Sequence, residues 1–578
     1  MPVENAEVAR LFRDVADLLE LQGANPFRIR AYQGAARTVE ELPQAVEELM
    51  RRGGRKSLAD LPGVGDDLAG KIEEIVDTGA LRALDELERQ VPKGLTTLMH
   101  VRGLGPKRAR ALYDSLGIHT LAQLDRACRA GKVRHLRGFG AKTEANLLHE
   151  LEVHGVAEHR VLRPVAAQYG EALLRHLQSV EGVKRAEIAG SYRRCRDTVG
   201  DLDILVTCRR GTPVIQRFVS YPEVEEVLAT GPTRSSVRLR CGLQVDLRVL
   251  AEACYGAGLY YFTGSKAHNI AVRRIAQRKG LRINEYGVWR ARRRIAGQTE
   301  AEVLGSVGLP WIPPELRENR GEIEAARRGA LPSLIERDDI RGDLQSHTTD
   351  SDGRDTLAAM ARAAEELGYD YLAITDHTPA VRVAGGLDRQ GFRRQMKRID
   401  RLNGRLRKLT LLKGAEVDIH PDGSLDLDDA TLDAMDVVLI SVHSAFDLSE
   451  RDQTRRVVRA LRHRAVDVLA HPTGRLIGRR GGLRLDLDQV YRAAVDHGVL
   501  LEVNAQPDRL DLDDLGTHAA LACGAHLAIS TDAHAVAELG FMRWGVDQAR
   551  RGWATKEQVA NTRPLERLLA LLHARRGR

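Results

Sequence analysis

Between residues 371 and 534, four short apolar runs each stop on a histidine. They are 371–375 before Asp376-His377, 437–442 before His443, 466–470 before His471, and 527–531 before Asp532-Ala533-His534. Residues 409–415 stop on Glu416 in the same way, and Gln345-Ser346-His347, followed by Asp352, opens the series. Where short buried strands alternate with amphipathic segments such as 356–367 and 487–495, a β/α barrel is the expected fold, with its active site at the C-terminal ends of the strands. A lone histidine at a strand end is as often an ordinary turn or core residue, but repetition from strand to strand is hard to reach by coincidence. Imidazole nitrogens and carboxylate oxygens without a thiolate suit Zn, Mn or Fe at a catalytic site rather than a closed structural zinc site. His420, His463, His497, His518 and His526 fall outside the pattern and read as structural or solvent-facing. The C-terminal half is therefore expected to be a metallohydrolase.

At 578 residues the chain should hold several domains, and 43% hydrophobic residues allow real cores. Its six cysteines form no C-x-x-C pair, as in a reduced cytosolic chain. The start lacks a basic region followed by an apolar core, and no window approaches the ~18 apolar residues of a membrane span. The expectation is a cytoplasmic, nucleoid-associated protein with no membrane partner. A net charge of +8 permits a polyanionic partner without requiring one.

The arrangement of that charge carries more weight. Gly63-Val64-Gly65, Gly103-Leu104-Gly105-Pro106-Lys107 and Gly138-Phe139-Gly140-Ala141-Lys142 each precede a helical segment, at 67–76, 108–115 and 143–151. Such turns let the backbone approach a phosphate, towards which the free N–H groups of the next helix point. This is the helix-hairpin-helix device for gripping a DNA backbone without reading bases. One Gly-x-Gly is a generic tight turn, whereas three point to DNA binding. The third departs most from the pattern, and a purely structural hairpin is its alternative.

The middle of the chain carries different chemistry. Gly190-Ser191-Tyr192-Arg193-Arg194 is followed by Gly200-Asp201-Leu202-Asp203. Side chains at i and i+2 of a strand share a face, so both carboxylates project together. Two like charges that close favour a cation between them, here Mg²⁺. Asp246, in the strand-like 244–250, can supply a third carboxylate for a two-metal site. A solvated strand face is the bland alternative, made less attractive by the preceding Gly-Ser turn with arginines suited to a triphosphate.

In order and spacing, Gly190-Ser191 with Arg194, Asp201-Leu202-Asp203, Asp246, and Tyr261-Phe262-Thr263-Gly264-Ser265 with Asn269 resemble the family X DNA polymerases. The C-terminal series resembles the polymerase and histidinol phosphatase (PHP) domain of their bacterial members. The resemblance implies a multidomain α+β and α/β chain: helical helix-hairpin-helix domains at 1–90 and, as fingers, 91–155; a mixed-sheet nucleotidyltransferase palm at 156–255; a thumb at 256–317; a linker at 318–338; and a distorted β/α barrel at 339–575. Consecutive prolines at Pro313-Pro314 end the thumb. The charged stretch 315–339 reads as a linker, helical around 322–328. The run Arg290-Ala291-Arg292-Arg293-Arg294 is read equally well as a DNA-phosphate contact or a solvated cluster.

The resemblance also implies roles. Asp201, Asp203 and Asp246 hold Mg²⁺, with Asp246 drawing the proton from the primer 3′-hydroxyl. Ser191, Arg194 and Arg160 contact the triphosphate. The Tyr261-Phe262-Thr263-Gly264 turn packs on the sugar, and Asn269 and Arg273 reach the minor-groove side of the new pair, where shape rather than sequence is checked. Lys71 lies where lyase-active members carry a Schiff-base lysine, but the neighbouring Asp66 and Asp67 favour its charged form, so phosphate binding is preferred to lyase chemistry.

In the PHP domain the implied ligands are Gln345, His347, Asp352, His377, Glu416, His443, His471, Asp532 and His534, holding up to three Mn²⁺ or Zn²⁺ ions. Many PHP domains open with His-x-His, whereas Gln345 offers an amide, a poorer ligand. The expected activity is a metal-dependent 3′–5′ exonuclease, and the same hydrolysis at phosphorus extends to abasic-site endonuclease or 3′-phosphatase chemistry. The reading is a monomeric DNA-directed polymerase that fills short gaps in base excision repair, with gapped or nicked double-stranded DNA and dNTPs as partners. A PHP nuclease or phosphatase whose polymerase portion mainly binds DNA is the alternative, and a non-catalytic DNA scaffold is a third.

Overall fold

The computed structural model describes residues 5–22, 24–40, 42, 46–78, 81–88, 98, 101, 104–136, 138–153, 160–208 and 211–574. Two compact units emerge. One holds residues 1–161, 165–186 and 200–249, and the other 162–164, 187–199 and 250–578.

In the first unit, helices Asn5–Leu21 and Pro26–Glu40 meet through apolar faces. Val8, Phe12, Val15 and Leu19 recur at helical spacing and are buried, with Phe12 edge-on to Tyr32 at 5.5 Å between centroids. The three glycine turns share one hydrogen-bond geometry. Val64 N donates to Leu61 O at 3.0 Å, Leu104 N to Val101 O at 2.9 Å, and Phe139 N to Leu136 O at 3.0 Å. In each the apolar residue between the glycines is buried, which anchors the turn to the helical core. Gly63 and Gly138 sit at φ +71° and +88°, where a side chain would be strained. Helices Asp66–Thr78, Pro106–Leu116 and Ala141–Val153 follow the turns.

The palm sheet comprises β1 (Val183–Ile188), β2 (Asp201–Cys208), β3 (Val224–Thr230), β4 (Arg234–Leu239) and β5 (Gln244–Leu250), in the order β1-β2-β5-β4-β3. Leu202 and Ile204 of β2 are buried while Asp201 and Asp203 alternate with them on the open face; Val245 and Leu247 of β5 alternate in the same way with Asp246. The sheet thus presents acids on two neighbouring strands.

In the second unit, helices Tyr255–Thr263 and Lys266–Arg278, the antiparallel strands β6 (Leu281–Asn284), β7 (Gly287–Arg290) and β8 (Arg293–Ala296), and helix Glu300–Ser306 enclose one apolar cluster. The charged stretch that reads as a linker packs into it. Leu316, Ile323 and Ala326 join the cluster, and helix Glu322–Arg327 buries its first carboxylate. Asn319 N and Arg320 N donate to Glu322 at 3.0 and 2.7 Å, and His268 Nδ1 lies 2.6 Å from it. Those partners make its burial affordable.

A second buried acid, Glu300, receives Arg193 Nη1 at 2.8 Å, Arg317 Nη1 at 2.6 Å and Trp311 Nε1 at 3.1 Å. Burial opposes its charge, but the two guanidinium groups outweigh that and hold its carboxyl down at about 2. Because the folded value lies below the unfolded one (~4.3), this stability is complete above about pH 4.5 and disappears as pH falls towards 2; it amounts to about 3 kcal/mol. Thermal melts of the parent and Glu300→Gln should therefore differ most near neutrality and converge between pH 4.5 and 2. A pH-independent difference would exclude this account.

Seven parallel strands, β9 (Gly342–Asp343), β10 (Tyr371–Ile374), β11 (Thr410–Asp418), β12 (Val437–Ser441), β13 (Val468–Leu469), β14 (Leu500–Asn504) and β15 (Leu527–Ser530), lie side by side in sequence order. A bridge between Ser346 and Ala533, with Thr531 N donating to Asp343 Oδ1 at 3.1 Å, joins the ends of the first and last strands. The inner apolar cluster takes residues from every strand or its flank, and helix Leu565–His573 inserts Leu568 and Leu572 into it. This is the expected β/α barrel. Strand β11 continues past Glu416 to Asp418, and β13 is shorter than its apolar run. Among the described residues no helix is long and apolar enough to cross a membrane.

Candidate functional site

The segments leaving the barrel strands converge on Glu416, itself buried two residues before the end of β11. His471 Nε2 lies 2.9 Å from its Oε1 and His443 Nε2 3.5 Å; His347 Nε2 and His377 Nδ1 lie 3.3 and 3.5 Å from its Oε2. His347 Nε2 is also 3.1 Å from Asp532 Oδ1, and Asp352 approaches His377 and His534, each at 3.5 Å. The His347 ring stacks against both His377 and His534, with centroids 4.5 and 4.2 Å away. Among the described residues, three donor groups could hold an ion: His347, Asp352, His377 and His534; His377, Glu416 and His443; and His347, Glu416 and Asp532. Every sequence-predicted PHP residue is thus in one polar cluster, with Gln345 and His471 joining through Glu416.

A divalent ion suits this cluster. Nδ1 of His347 and of His377 and Oε1 of Gln345 are buried without a hydrogen-bond partner, so donor atoms are held in reserve. Burial pushes the His377 imidazole down to about 4, which leaves it in the neutral, ligating form. Gln345 meanwhile turns its Nε2 donor towards Glu416 at 2.9 Å and Asp532 at 3.3 Å. The backbone is strained at two residues of the cluster: His471 and Asp532 have φ of +28° and +53°.

Sequence reading missed the groups that orient these side chains. Asp418 Oδ1 accepts from His443 N at 3.0 Å and lies 3.3 Å from His443 Nδ1. Glu502 accepts from His471 N at 2.7 Å, Asn504 Nδ2 donates to Asp532 Oδ2 at 3.0 Å, and Glu538 accepts from His534 N at 2.7 Å. Such outer partners fix ring orientation. Burial and the nearby Asp532 push the Glu502 carboxyl well above its usual range. Asp376 accepts from Thr348 N at 2.8 Å and from Gln395 Nε2 at 2.5 Å, clamping the loop that carries Asp352. That loop also needs Gly353, where a Cβ would lie 2.5 Å from Thr348 N. Asp418 was legible as a second i, i+2 acid pair with Glu416. Glu502 and Asn504 gave no signal, since their strand ends on no histidine.

In the palm, Ser236 pairs with Asp246 across β4 and β5. Ser236 Oγ donates to Asp246 Oδ1, and Gln244 Nε2 donates to Oδ2 at 3.2 Å. The open face of β2 carries Asp201 and Asp203 beside it. Arg160 is exposed.

In the second unit, Gly190 and Ser191 begin the short helix Gly190–Arg193. The half-buried Arg194 guanidinium donates to Thr263 O at 2.5 Å and Glu318 Oε1 at 3.1 Å, and Arg551 Nη1 donates to Arg194 O at 2.5 Å. Tyr261, Phe262, Asn269 and Arg273 form one group. Asn269 Nδ2 donates to Tyr261 O at 2.8 Å, the Tyr261 and Phe262 rings meet edge-on at 5.1 Å, and Arg273 lies 5.6 Å from the Tyr261 centroid. Asn269 Oδ1 is buried without a partner. Tyr261 and Phe262 lie in the last turn of helix Tyr255–Thr263 rather than in a loop, and Gly264 caps that helix at φ +72°, with a built Cβ 3.1 Å from Arg194 Nη1, a conformation and an approach that favour glycine.

At the N-terminal hairpin, Lys71 Nζ donates to Asp67 Oδ2 at 2.5 Å and lies 5.7 Å from the Tyr32 centroid. The acid foreseen beside it is therefore its partner. Gly63, Gly65, Gly105 and Lys107 lie in or beside their turns, and Lys107 is exposed. Gly103 lies outside the described residues.

Family profiles match five segments: Helix-hairpin-helix domain (residues 3–81), SAM-like Helix-hairpin-helix tandem (95–152), DNA polymerase beta palm (160–229), DNA polymerase beta thumb (258–318) and PHP domain (343–505). DNA polymerase/3′-5′ exonuclease PolX of Bacillus subtilis (strain 168) is 38% identical over 573 residues, 98% of this chain and 99% of the relative. DNA polymerase lambda of Arabidopsis thaliana is 26% identical over 351 residues, 55% of this chain and 62% of that protein. The Rattus norvegicus DNA polymerase lambda is 26% identical over 288 residues, 45% and 48%. With helix-hairpin-helix, palm, thumb and PHP segments in this order and full-length similarity to the Bacillus protein, the chain belongs to the family X DNA polymerases that carry a C-terminal PHP domain.

Proposed function

We propose that this protein extends primers across short gaps during base excision repair and, at the barrel cluster, removes nucleotides from DNA 3′ ends. The observation that carries the reading is the presence of two acid-rich centres on separate sheets: Asp201, Asp203 and Asp246 on neighbouring palm strands, and the histidines and acids gathered round Glu416. The name of the Bacillus relative, which joins a polymerase to a 3′-5′ exonuclease, supports both halves.

The palm aspartates would hold Mg²⁺, and the barrel cluster up to three Mn²⁺ or Zn²⁺ ions. Bound divalent cations supply Lewis acidity at the phosphoryl oxygens and neutralise the leaving group. Asp246, fixed by Ser236 and Gln244, serves as acceptor for the primer 3′-hydroxyl proton. Ser191, Arg194 and Arg160 bind the triphosphate, which must compete with Glu318 for the Arg194 guanidinium. Tyr261 and Phe262 pack on the sugar, while Asn269, with its unsatisfied Oδ1, and Arg273 meet the minor-groove edge of the new pair. The glycine hairpins with Lys71 and Lys107 grip backbone phosphates of gapped or nicked DNA. The same hydrolysis at the barrel extends to abasic-site cleavage and 3′-phosphate removal, and the enzyme acts as a monomer.

Labelled gapped DNA tests the whole reading. With dNTPs and Mg²⁺ the primer lengthens, and with Mn²⁺ and no dNTPs it shortens. A metal-replete protein that does neither would end the proposal.

A further inference from the structure

Two loops beside the barrel cluster carry Arg475, Arg480 and Arg509. The first follows His471 and the second follows β14. They are clamped together: Ile477 N donates to Asp508 O at 2.7 Å, and Arg475 donates to Arg509 O at 2.8 Å and Leu510 O at 2.7 Å. Arg475 is thereby spent on the clamp. Arg480, from the first loop, lies over Phe446, three residues beyond His443, with its guanidinium carbon 4.1 Å from the ring centroid. Its Nη2 donates to Gly474 O at 2.8 Å, but its Nε is buried without a partner, and among the described residues no carboxylate lies within ion-pair distance. Arg509, from the second loop, reaches towards the cluster with Nε 3.9 Å from Asp532 Oδ2. The clamp ties the loops of Arg480 and Arg509 together, and the positive charge of Arg509 bears on Arg480. Like charges held together with an unsatisfied N–H call for an anion.

We infer that Arg480 and Arg509 form a phosphodiester subsite that seats the strand entering the barrel cluster, with Phe446 fixing the Arg480 plane. The inference rests on the nuclease reading of that cluster but concerns binding, which can be measured without cleavage. The ligand is the oxyanion of a nucleic-acid backbone; a released 5′-mononucleotide offers similar chemistry and is the competing occupant.

The full chain, stripped of metal with EDTA, is titrated with a 5′-fluorescent single-stranded oligothymidylate carrying a free 3′-hydroxyl, and separately with thymidine 5′-monophosphate. Arg480→Gln and Arg509→Gln should each weaken oligonucleotide binding about ten-fold and lower the salt slope by about 0.7, the loss of one phosphate contact. Arg480→Lys should restore the slope but not the full affinity, because the planar fork is gone. With Mn²⁺, KM for degradation should rise by a similar factor while kcat holds. If the monophosphate, and not the oligonucleotide, loses affinity, the site serves product and the strand assignment is overturned. Unchanged oligonucleotide affinity in both variants also overturns it, as does a fall in kcat with KM intact. A parent that binds but never degrades, with variants that still bind less, sinks the nuclease reading and leaves the subsite standing. Melting curves identify any variant that fails to fold, in which case the other arginine decides.

Discussion

Asp203→Asn should lower primer extension by about 1,000-fold or more, equivalent to about 4 kcal/mol in the barrier, and leave 3′-end degradation close to the parental rate. His347→Ala should do the reverse. Asp203 lies half-exposed on the open face of β2, between the buried Leu202 and Ile204, so replacing its charge with an isosteric amide removes a cation ligand without opening the core. His347 is fully buried and belongs to two of the three donor groups of the barrel. Its removal also deprives the rings of His377 and His534 of their stacking partner, so melting curves must accompany the assay. The measurement is extension and shortening of a labelled gapped duplex, with Mg²⁺ and Mn²⁺ in turn. If either substitution silenced both reactions while the protein remained folded, two independent centres would not describe this enzyme.

Why the sequence foretold so much of the barrel and less of its surroundings follows from where the signals originate. A parallel strand buried on both faces reads as an unbroken apolar run, and its end is where polarity returns, so His377, His443 and His471 announce themselves. Asp201 and Asp203 are legible for the opposite reason: β2 is open on one face, and alternation with Leu202 and Ile204 is visible directly. Groups that act by holding others have no such signature. Glu502 lies inside β14 in a run that looks merely interrupted, yet it accepts the backbone N–H of His471. The stretch 315–339 looks like a solvated tether from its charge, whereas the long-range partners of Glu322 and Arg317 allow both to be buried. Pairings of that kind are absent from any local pattern. Gln345 illustrates the limit from the other side: an amide where related domains carry imidazole reads as a weak ligand, and the fold uses its Nε2 as a donor to two acids while Oε1 remains free of partners.

Glu416→Gln should be the most damaging single change at the barrel, costing at least about 1,000-fold in degradation and the binding of two of three metal equivalents. Glu416 belongs to two of the three donor groups, and four imidazoles lie within 3.5 Å of its oxygens. Burial alone would disfavour its charge, but His377 and the other imidazoles round it hold its carboxyl well below the usual range, so the carboxylate is the anionic hub of the cluster. An amide of the same shape keeps the packing but lacks that charge. Asp418→Asn, two residues further along the strand, should act more mildly, weakening metal at His443 by about 10- to 100-fold with stoichiometry intact, because it orients a ligand rather than being one. Mn²⁺ titration followed by calorimetry on the full chain separates the two: a drop in the number of bound ions for Glu416→Gln, a shift in affinity alone for Asp418→Asn. Equal stoichiometry and affinity in parent and Glu416→Gln would mean that the ions, if bound, are held by the histidines and the remaining acids, and that the convergence on Glu416 is a structural salt-bridge network instead.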